Sequence, residues 1–174
     1  MRTDADLVKA VIGGQKHAFA VLVERYERPV KAAVISILRD HSIAQDAAQE
    51  AFVKAYENLA GLRKAGAFGP WVIKIASRCA LSMAQRMPAT AALGEAETLT
   101  SAGSDGRLDQ DKRRLLDTVM KLPESERQAV MLRYFSDHSV NEVAQLLGRS
   151  VGTVTKQLSR AHKRLRTMLE RSEI

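Results

Sequence analysis

The stretch of the 174-residue chain richest in usable chemistry is SVNEVAQLLGRSVGTVTKQLSRAHKRL, residues 139–165. Arg149, Ser150, Thr153, Thr155, Lys156, Gln157, Arg160 and Lys163 crowd its second half. Lys, Gln and Arg reach base edges and phosphates in a DNA major groove, while Ser and Thr mostly fix the backbone. The scaffold beneath them reads locally. Ser139 and Glu142 have capping-box spacing and open a short helix. Val143, Ala144 and Leu147 give it a buried face, Gly148 supplies a turn, and Ser150 is placed to cap the next helix. Val154, Leu158, Ala161 and Leu165 then repeat at helical spacing. Two helices joined by a tight Gly-containing turn, the second basic, form a helix-turn-helix of the DNA-binding kind. An ordinary amphipathic helix with a wet face would show the same stripe; the cap, turn and basic face together favour DNA.

Two further constellations lie upstream. Phe68, Trp71, Lys74, Arg78 and Arg86 place aromatic rings and cations on, or just before, one helix. Stacking platforms beside cations suit unpaired bases and their phosphates. Phe68 and Trp71 also suit core packing, Trp71 in particular. Asp46, Gln49, Glu50 and Val53 stand at i, i+3, i+4 and i+7, opposite an apolar stripe of Ala48, Ala51, Phe52, Ala55 and Leu59. Such a face is either solvated surface or a docking surface.

The elements that must carry these groups are helices throughout, so the expected fold class is all-α. Phe19, Leu22, Val23 and Tyr26 fall on one helical face, Leu115, Val119 and Leu122 on another, and Val130, Leu132, Tyr134 and Phe135 lie in a further helix. Ser42 with Gln45 has capping-box spacing, Gly61 suits the end of that helix, and Gly13-Gly14 the end of a short first one. Pro70 fits the first turn of a helix expected to run to about Arg86. Between Pro88 and Asp111 the periodicity vanishes into Ala, Thr, Ser, Gly and acids, which reads as a flexible linker. Two small helical domains are therefore expected, residues 1–87 and 112–174, joined by an acidic linker at 88–111.

Charge follows the same division. The net charge of +7 splits into +5 for residues 1–86, −4 for 87–111 and +6 for 112–174. Basic domains suit a polyanion, because each phosphate neutralised releases condensed counterion. Other function classes find little support. His17, His41, His138 and His162 are scattered and Cys79 has no close His or Cys, so no metal site, cofactor or disulfide is expected. No nucleophile or His accompanies the Asp46–Glu50 pair, and no catalytic residue is assigned. Apolar runs are too short for membrane insertion and the first residues lack a signal core, which points to the cytoplasm.

The motifs resemble a family. Leu122-Pro-Glu-Ser-Glu-Arg127, Leu132-Arg-Tyr-Phe135, Val143-Ala-Gln-Leu-Leu-Gly148 and Val151-Gly-Thr-Val154 resemble the −35-reading domain of extracytoplasmic-function (ECF) sigma factors of bacterial RNA polymerase. Phe19-Ala-Val-Leu-Val-Glu-Arg-Tyr26, Asp46-Ala-Ala-Gln-Glu-Ala-Phe-Val-Lys-Ala-Tyr56 and Phe68-Gly-Pro-Trp-Val-Ile-Lys-Ile-Ala76 resemble the same family's polymerase-binding, −10-recognising domain. The resemblance spans nearly the whole chain. It implies a sigma subunit that binds core RNA polymerase and promoter DNA, with an anti-sigma factor as inhibitor. Asp46, Gln49, Glu50 and Val53 would dock on the clamp helices of the largest subunit, and the second domain on the flap of the second-largest. Arg63, Phe68, Trp71, Lys74, Arg78 and Arg86 would hold the −10 element, capturing a flipped base between the 61–68 loop and the helix after Pro70. Arg149 to Lys163 would read the −35 element, and the acidic linker would thread the polymerase cleft. Two departures bear on specificity. Arg78 and Ser82 stand where the family commonly has Asn and Asp, and Val154-Thr-Lys-Gln157 replaces a common Val-Lys-Ser-Arg. A helix-turn-helix regulator acting without being a polymerase subunit would share the C-terminal evidence and leave the upstream motifs unexplained.

Overall fold

The fold is known from a computed structural model that describes residues 2–38, 40–86 and 114–170. Helices α1 (Asp4–Ile12), α2 (Ala18–Ile35), α3 (His41–Glu57) and α4 (Phe68–Arg86) form the N-terminal half; 3-10 turns Leu59–Gly61 and Ala65–Ala67 link the last two. The C-terminal half contains α5 (within 114–120), α6 (Glu124–Val130), a π-helical turn (Met131–Phe135), α7 (Val140–Leu147) and α8 (Val151–Glu170). Among the described residues there is no strand, as expected for an all-α chain. The expected linker at 88–111 lies outside them.

Alanine decides the packing of the first half. Ala44, Ala47, Ala48, Ala51 and Ala55 are all buried along one side of α3, which lies against α2 and α4. Their small side chains allow close helix approach, and the larger Leu22, Val30, Val34, Phe68 and Val72 fill the space between. Fully burying each of the latter is worth roughly 1.5–3 kcal/mol.

Local signals set most helix ends, and two expectations are corrected. Asp40, not Ser42, caps α3: its Oδ1 accepts the Ile43 N–H at 2.9 Å. Gly61 does not end α3 either; the helix stops at Glu57 with Asn58 as cap, and Gly61 closes a 3-10 turn. Gly13 caps α1 as expected, with Gly14 at φ +96°. Pro70 sits in the first turn of α4, which runs to Arg86.

In the second half, the Ser139 hydroxyl accepts the Glu142 N–H and the Glu142 carboxylate accepts the Ser139 N–H, completing the capping box. That bonding holds the Glu142 carboxyl below its ordinary range. The cap is therefore complete above the normal carboxylate range and weakens as pH falls through the depressed value. Gly148 ends α7 in the left-handed region at φ 61°, and the Ser150 hydroxyl accepts the Thr153 N–H at 3.2 Å to open α8. Leu146 is the buried leucine of α7, whereas Leu147 is half-buried. The helix expected through Val130 to Phe135 changes to π geometry at Met131, which turns Tyr134 and Phe135 outward.

The halves touch: α4 packs on α7, and the π turn packs on α2. Open space surrounds the position a Cβ would take at Gly148. Gly148→Ala should therefore cost only the left-handed backbone penalty, about 1–2 kcal/mol. A urea titration followed by circular dichroism should show the lowered midpoint; an unmoved one would mean that this turn does not need φ > 0.

Candidate nucleic-acid interface

Helix α8 owes its orientation to Val154, Leu158 and Ala161, buried against α6 and α7. The opposite side must then face water. Thr153, Thr155, Lys156, Arg160 and Lys163 are all exposed there, and Gln157 is half-buried. Among the described residues, Lys156, Arg160 and Lys163 form no ion pair with a carboxylate. Arg164 differs: its Nε lies 3.1 Å from the buried Glu126 carboxylate, a charge contact too poorly aligned to be a hydrogen bond. That contact ties α8 to α6. Arg149 donates to the Gln157 side-chain oxygen at 3.2 Å, which holds the turn residue against the helix start. Ser150 serves as the cap.

The N-terminal half presents a second basic surface. Trp71, Lys74 and Arg78 follow one another at i, i+3 and i+7 on α4; Lys74 and Arg78 are exposed and Trp71 half-buried. Arg63 is exposed on the loop between the two 3-10 turns, and Arg86 is exposed at the end of α4. Phe68 corrects an expectation. It is 0% exposed, ringed by Phe19 at 6.1 Å, Tyr26 at 5.4 Å and Trp71 at 6.0 Å between ring centres. No face of it is open to a base; it seats Trp71 instead.

Arg63, Trp71 and Lys74 line a cleft of about 820 Å³ with Lys64 of the same loop and Arg149 of the other half. Apolar walls come from Leu62, Ile73, Leu146 and Leu147, and no carboxylate of the described residues lines it. The structure thus gathers Arg63, Trp71, Lys74 and Arg149, while Arg78 and Arg86 lie outside the cleft. Lys64 was missed in the sequence although it adjoins Arg63, because only the loop's course brings it beside Lys74.

On α3, Asp46 and Gln49 are exposed and Val53 is 51% exposed, as a docking face requires. Glu50 is only half-exposed and pairs with Lys54. Beside them runs a groove of about 600 Å³ between α2 and α3, floored by Phe19, Val23, Phe52 and Tyr56. Phe19 and Tyr56 meet edge to face at 5.0 Å. The sequence pattern puts Phe19 and Val23 on one apolar helical face and Phe52 on another, but periodicity shows which face is apolar and not whether a neighbour covers it. Tyr134 and Phe135 form another exposed aromatic pair, 53% and 40% exposed. The Tyr134 hydroxyl lies 2.9 Å from His162 Nε2, and the Arg133 guanidinium sits 5.4 Å over its ring.

Among the described residues no three His, Cys, Asp or Glu side chains gather as metal ligands, and burial raises the Cys79 thiol away from the reactive thiolate. No helix of the described residues is long and apolar enough to cross a membrane.

Comparison with known proteins agrees with this division. Residues 22–86 match the family described as Sigma-70 region 2, and residues 112–165 match Sigma-70, region 4. The RNA polymerase sigma-H factor of Pseudomonas aeruginosa is 31% identical, the alignment covering 96% of this chain and 94% of that protein. The ECF RNA polymerase sigma-E factor of Escherichia coli K12 is 32% identical over 92% of this chain and 91% of its own. In fold the chain is similar to CnrH, solved in complex with the cytosolic domain of CnrY, at TM-score 0.70, 23% identity and 96% and 97% coverage of the two chains. It is also similar to the Bartonella quintana sigma factor RpoE, solved with the anti-sigma factor NepR, at TM-score 0.61, 21% identity and 87% and 96% coverage. The two basic surfaces fall one in each matched region, and the chain belongs to the sigma-70 family of RNA polymerase sigma factors, in its extracytoplasmic-function group.

Proposed function

We propose that this sigma factor reads the −35 element with the outward face of α8 and the −10 element with the surface formed by Arg63, Trp71, Lys74, Arg78 and Arg86. The observation that carries the reading is the placement of exposed cations, with no carboxylate partner among the described residues, on two surfaces, one in each helical half. On α8, Lys156, Gln157 and Arg160 contact bases, while Thr153, Thr155, Lys163, Arg149 and Ser150 hold the phosphates. On α4, Trp71 offers a stacking face and Lys74 and Arg78 offer charge. Core polymerase binds through Asp46, Gln49, Glu50 and Val53, its clamp helices lying along the α2–α3 groove, whose apolar floor, edged by Glu57 and the Glu27–Lys31 pair, suits an amphipathic helix. The flap takes the Tyr134–Phe135 patch. The protein contributes binding energy rather than bond-making chemistry and works in the cytoplasm, where polymerase and DNA are.

Promoter binding requires the halves to part. Elements about two helical turns apart span roughly 70 Å of duplex, whereas Lys74 and Arg149 line one cleft. An anti-sigma factor that fixes the closed arrangement would keep the −10 surface from DNA; the Bartonella relative was solved in complex with the anti-sigma factor NepR.

In vitro transcription with core polymerase on pooled promoter fragments tests the assignment. Specific initiation only in the presence of the protein is expected. Tight operator-like binding by the chain alone, without initiation, would favour an independent regulator. Within that assay, Arg160→Ala should lower transcription from −35-dependent promoters by roughly 1–3 kcal/mol of binding; an unaltered base preference would move Arg160 to phosphate contact. Glu50→Lys should weaken polymerase binding at least about tenfold. It reverses a charge in the docking face and costs the fold only a few tenths of a kcal/mol in lost i,i+4 pairing. Titration of labelled protein with core enzyme measures the first, thermal melting the second, and unchanged affinity would remove Glu50 from the docking face.

A further inference from the structure

Helix α1 precedes the residues matched to region 2, yet it is anchored to the −10 surface. Its Leu7 and Val8 are 1% exposed, and it packs along the Ala65–Ala67 turn, behind the loop that carries Arg63 and Lys64. Asp4 fastens the other end. Its Oδ2 accepts the Tyr26 O–H at 2.5 Å, and its Oδ1 pairs with Arg25, which also donates to the Arg2 carbonyl at 3.1 Å. Burial, and then the bond to Asp4, raise the Tyr26 phenol well above its ordinary value, so it remains a donor.

The Tyr26 ring leaves no slack against α4. A Cβ at Gly69 would lie 2.7 Å from Tyr26 Cε1, 2.8 Å from the hydroxyl oxygen and 3.0 Å from Cζ. Gly69 is thus the absent side chain that admits the ring to the first turn of α4. The same ring lies 5.4 Å from Phe68, and Phe68 lies 6.0 Å from Trp71. A continuous contact path runs from Asp4 through Tyr26 to the helix turn and ring that seat Trp71, while α1 itself backs the preceding loop.

We propose that Asp4, acting through Tyr26 and the Gly69 notch, is a positioning residue for −10 recognition: it sets the distance between the Arg63 loop and the Trp71–Lys74 face of α4. The proposal rests on the reading of that surface as the −10 site. Releasing Asp4 lets the Tyr26 ring shift, and the loop and helix separate by an amount that matters for capturing a single base but leaves the exposed Asp46–Val53 face of α3, and α8, in place.

The test uses holoenzyme assembled from core polymerase with Asp4→Ala, Asp4→Asn, Tyr26→Phe, Gly69→Ala or Lys74→Ala protein. Three quantities are measured: affinity for core, binding of a fluorescent single-stranded −10 non-template oligonucleotide, and base preference over libraries randomised at −10 or at −35. Asp4→Ala, Tyr26→Phe and Gly69→Ala should keep core affinity and −35 preference within about twofold, weaken oligonucleotide capture roughly tenfold, as for one lost base stack, and flatten the −10 preference. Asp4→Asn keeps an acceptor for the Tyr26 hydroxyl and should recover most of the capture. Parallel loss of core binding, −10 capture and −35 preference would reduce the clasp to general stability and overturn the proposal. Loss with Lys74→Ala but not with Asp4→Ala would overturn the clasp alone, and no loss with either would overturn the −10 reading together with it.

Discussion

The close approach of α3 to α2 and α4, made possible by its row of buried alanines, is the constraint on which the rest of the molecule depends. Helix axes separate according to the side chains between them, and small ones permit the near end of the 8–10 Å range. A thin alanine seam has two consequences. It brings Phe19 and Val23 of α2 beside Phe52 and Tyr56 of α3, so that a groove with an apolar floor opens next to exposed acids. It also buries only small side chains per helix turn, so the half gains much of its stability from the larger groups at its edge, Phe68 and Leu22 among them. The aromatic cluster around Phe68 therefore holds the fold and shapes the surface proposed to face DNA at once.

Charge is distributed by a different rule. Cations with structural work are paired: Arg25 with Asp4, Arg164 with Glu126, Lys54 with Glu50. Among the described residues, the cations of the two proposed DNA surfaces face solvent or the cleft with no carboxylate paired to them. An unpaired exposed cation costs the fold little, because water solvates it, and it keeps its full charge for a phosphate.

What could be read from the sequence was what forms within a few residues of itself. The Ser139–Glu142 box, the Gly148 turn and the Ser150 cap are bonds across three or four residues, and they were found where their residue types placed them. The α8 stripe was legible for the same reason. The cap of α3 shows the limit: Asp40 and Ser42 are both good caps, and which one begins the helix depends on the register that presents Ala44, Ala47 and Ala48 to α2 and α4. Phe68 shows it again. Its neighbours in sequence suggest a loop aromatic available for stacking, but its burial comes from Phe19 and Tyr26, more than forty residues away. The groove beside Tyr56 and the Asp4–Tyr26 bond are tertiary in the same sense.

The cleft between the halves sets two forces against each other. Leu146 and Leu147 lie across from Ile73 on apolar walls, and burying that surface draws α7 onto α4. Arg63, Lys64, Lys74 and Arg149 meanwhile converge on the same space, with no carboxylate of the described residues among them, and their mutual repulsion grows as water leaves. Apolar attraction is insensitive to salt, whereas repulsion between partly solvated charges is screened over about 10 Å at 0.1 M ionic strength. Screening therefore favours the closed arrangement and dilute salt the open one. A polyanion acts differently from screening ions, because it binds the cations one surface at a time. Phosphates that engage the Arg63–Lys74 side occupy the space Arg149 needs, so neutralising the charge and opening the cleft become the same event. On the proposed reading, the groups that make closure electrostatically costly are the ones a promoter strand would recruit, so domain separation and DNA binding would be coupled through the same cations.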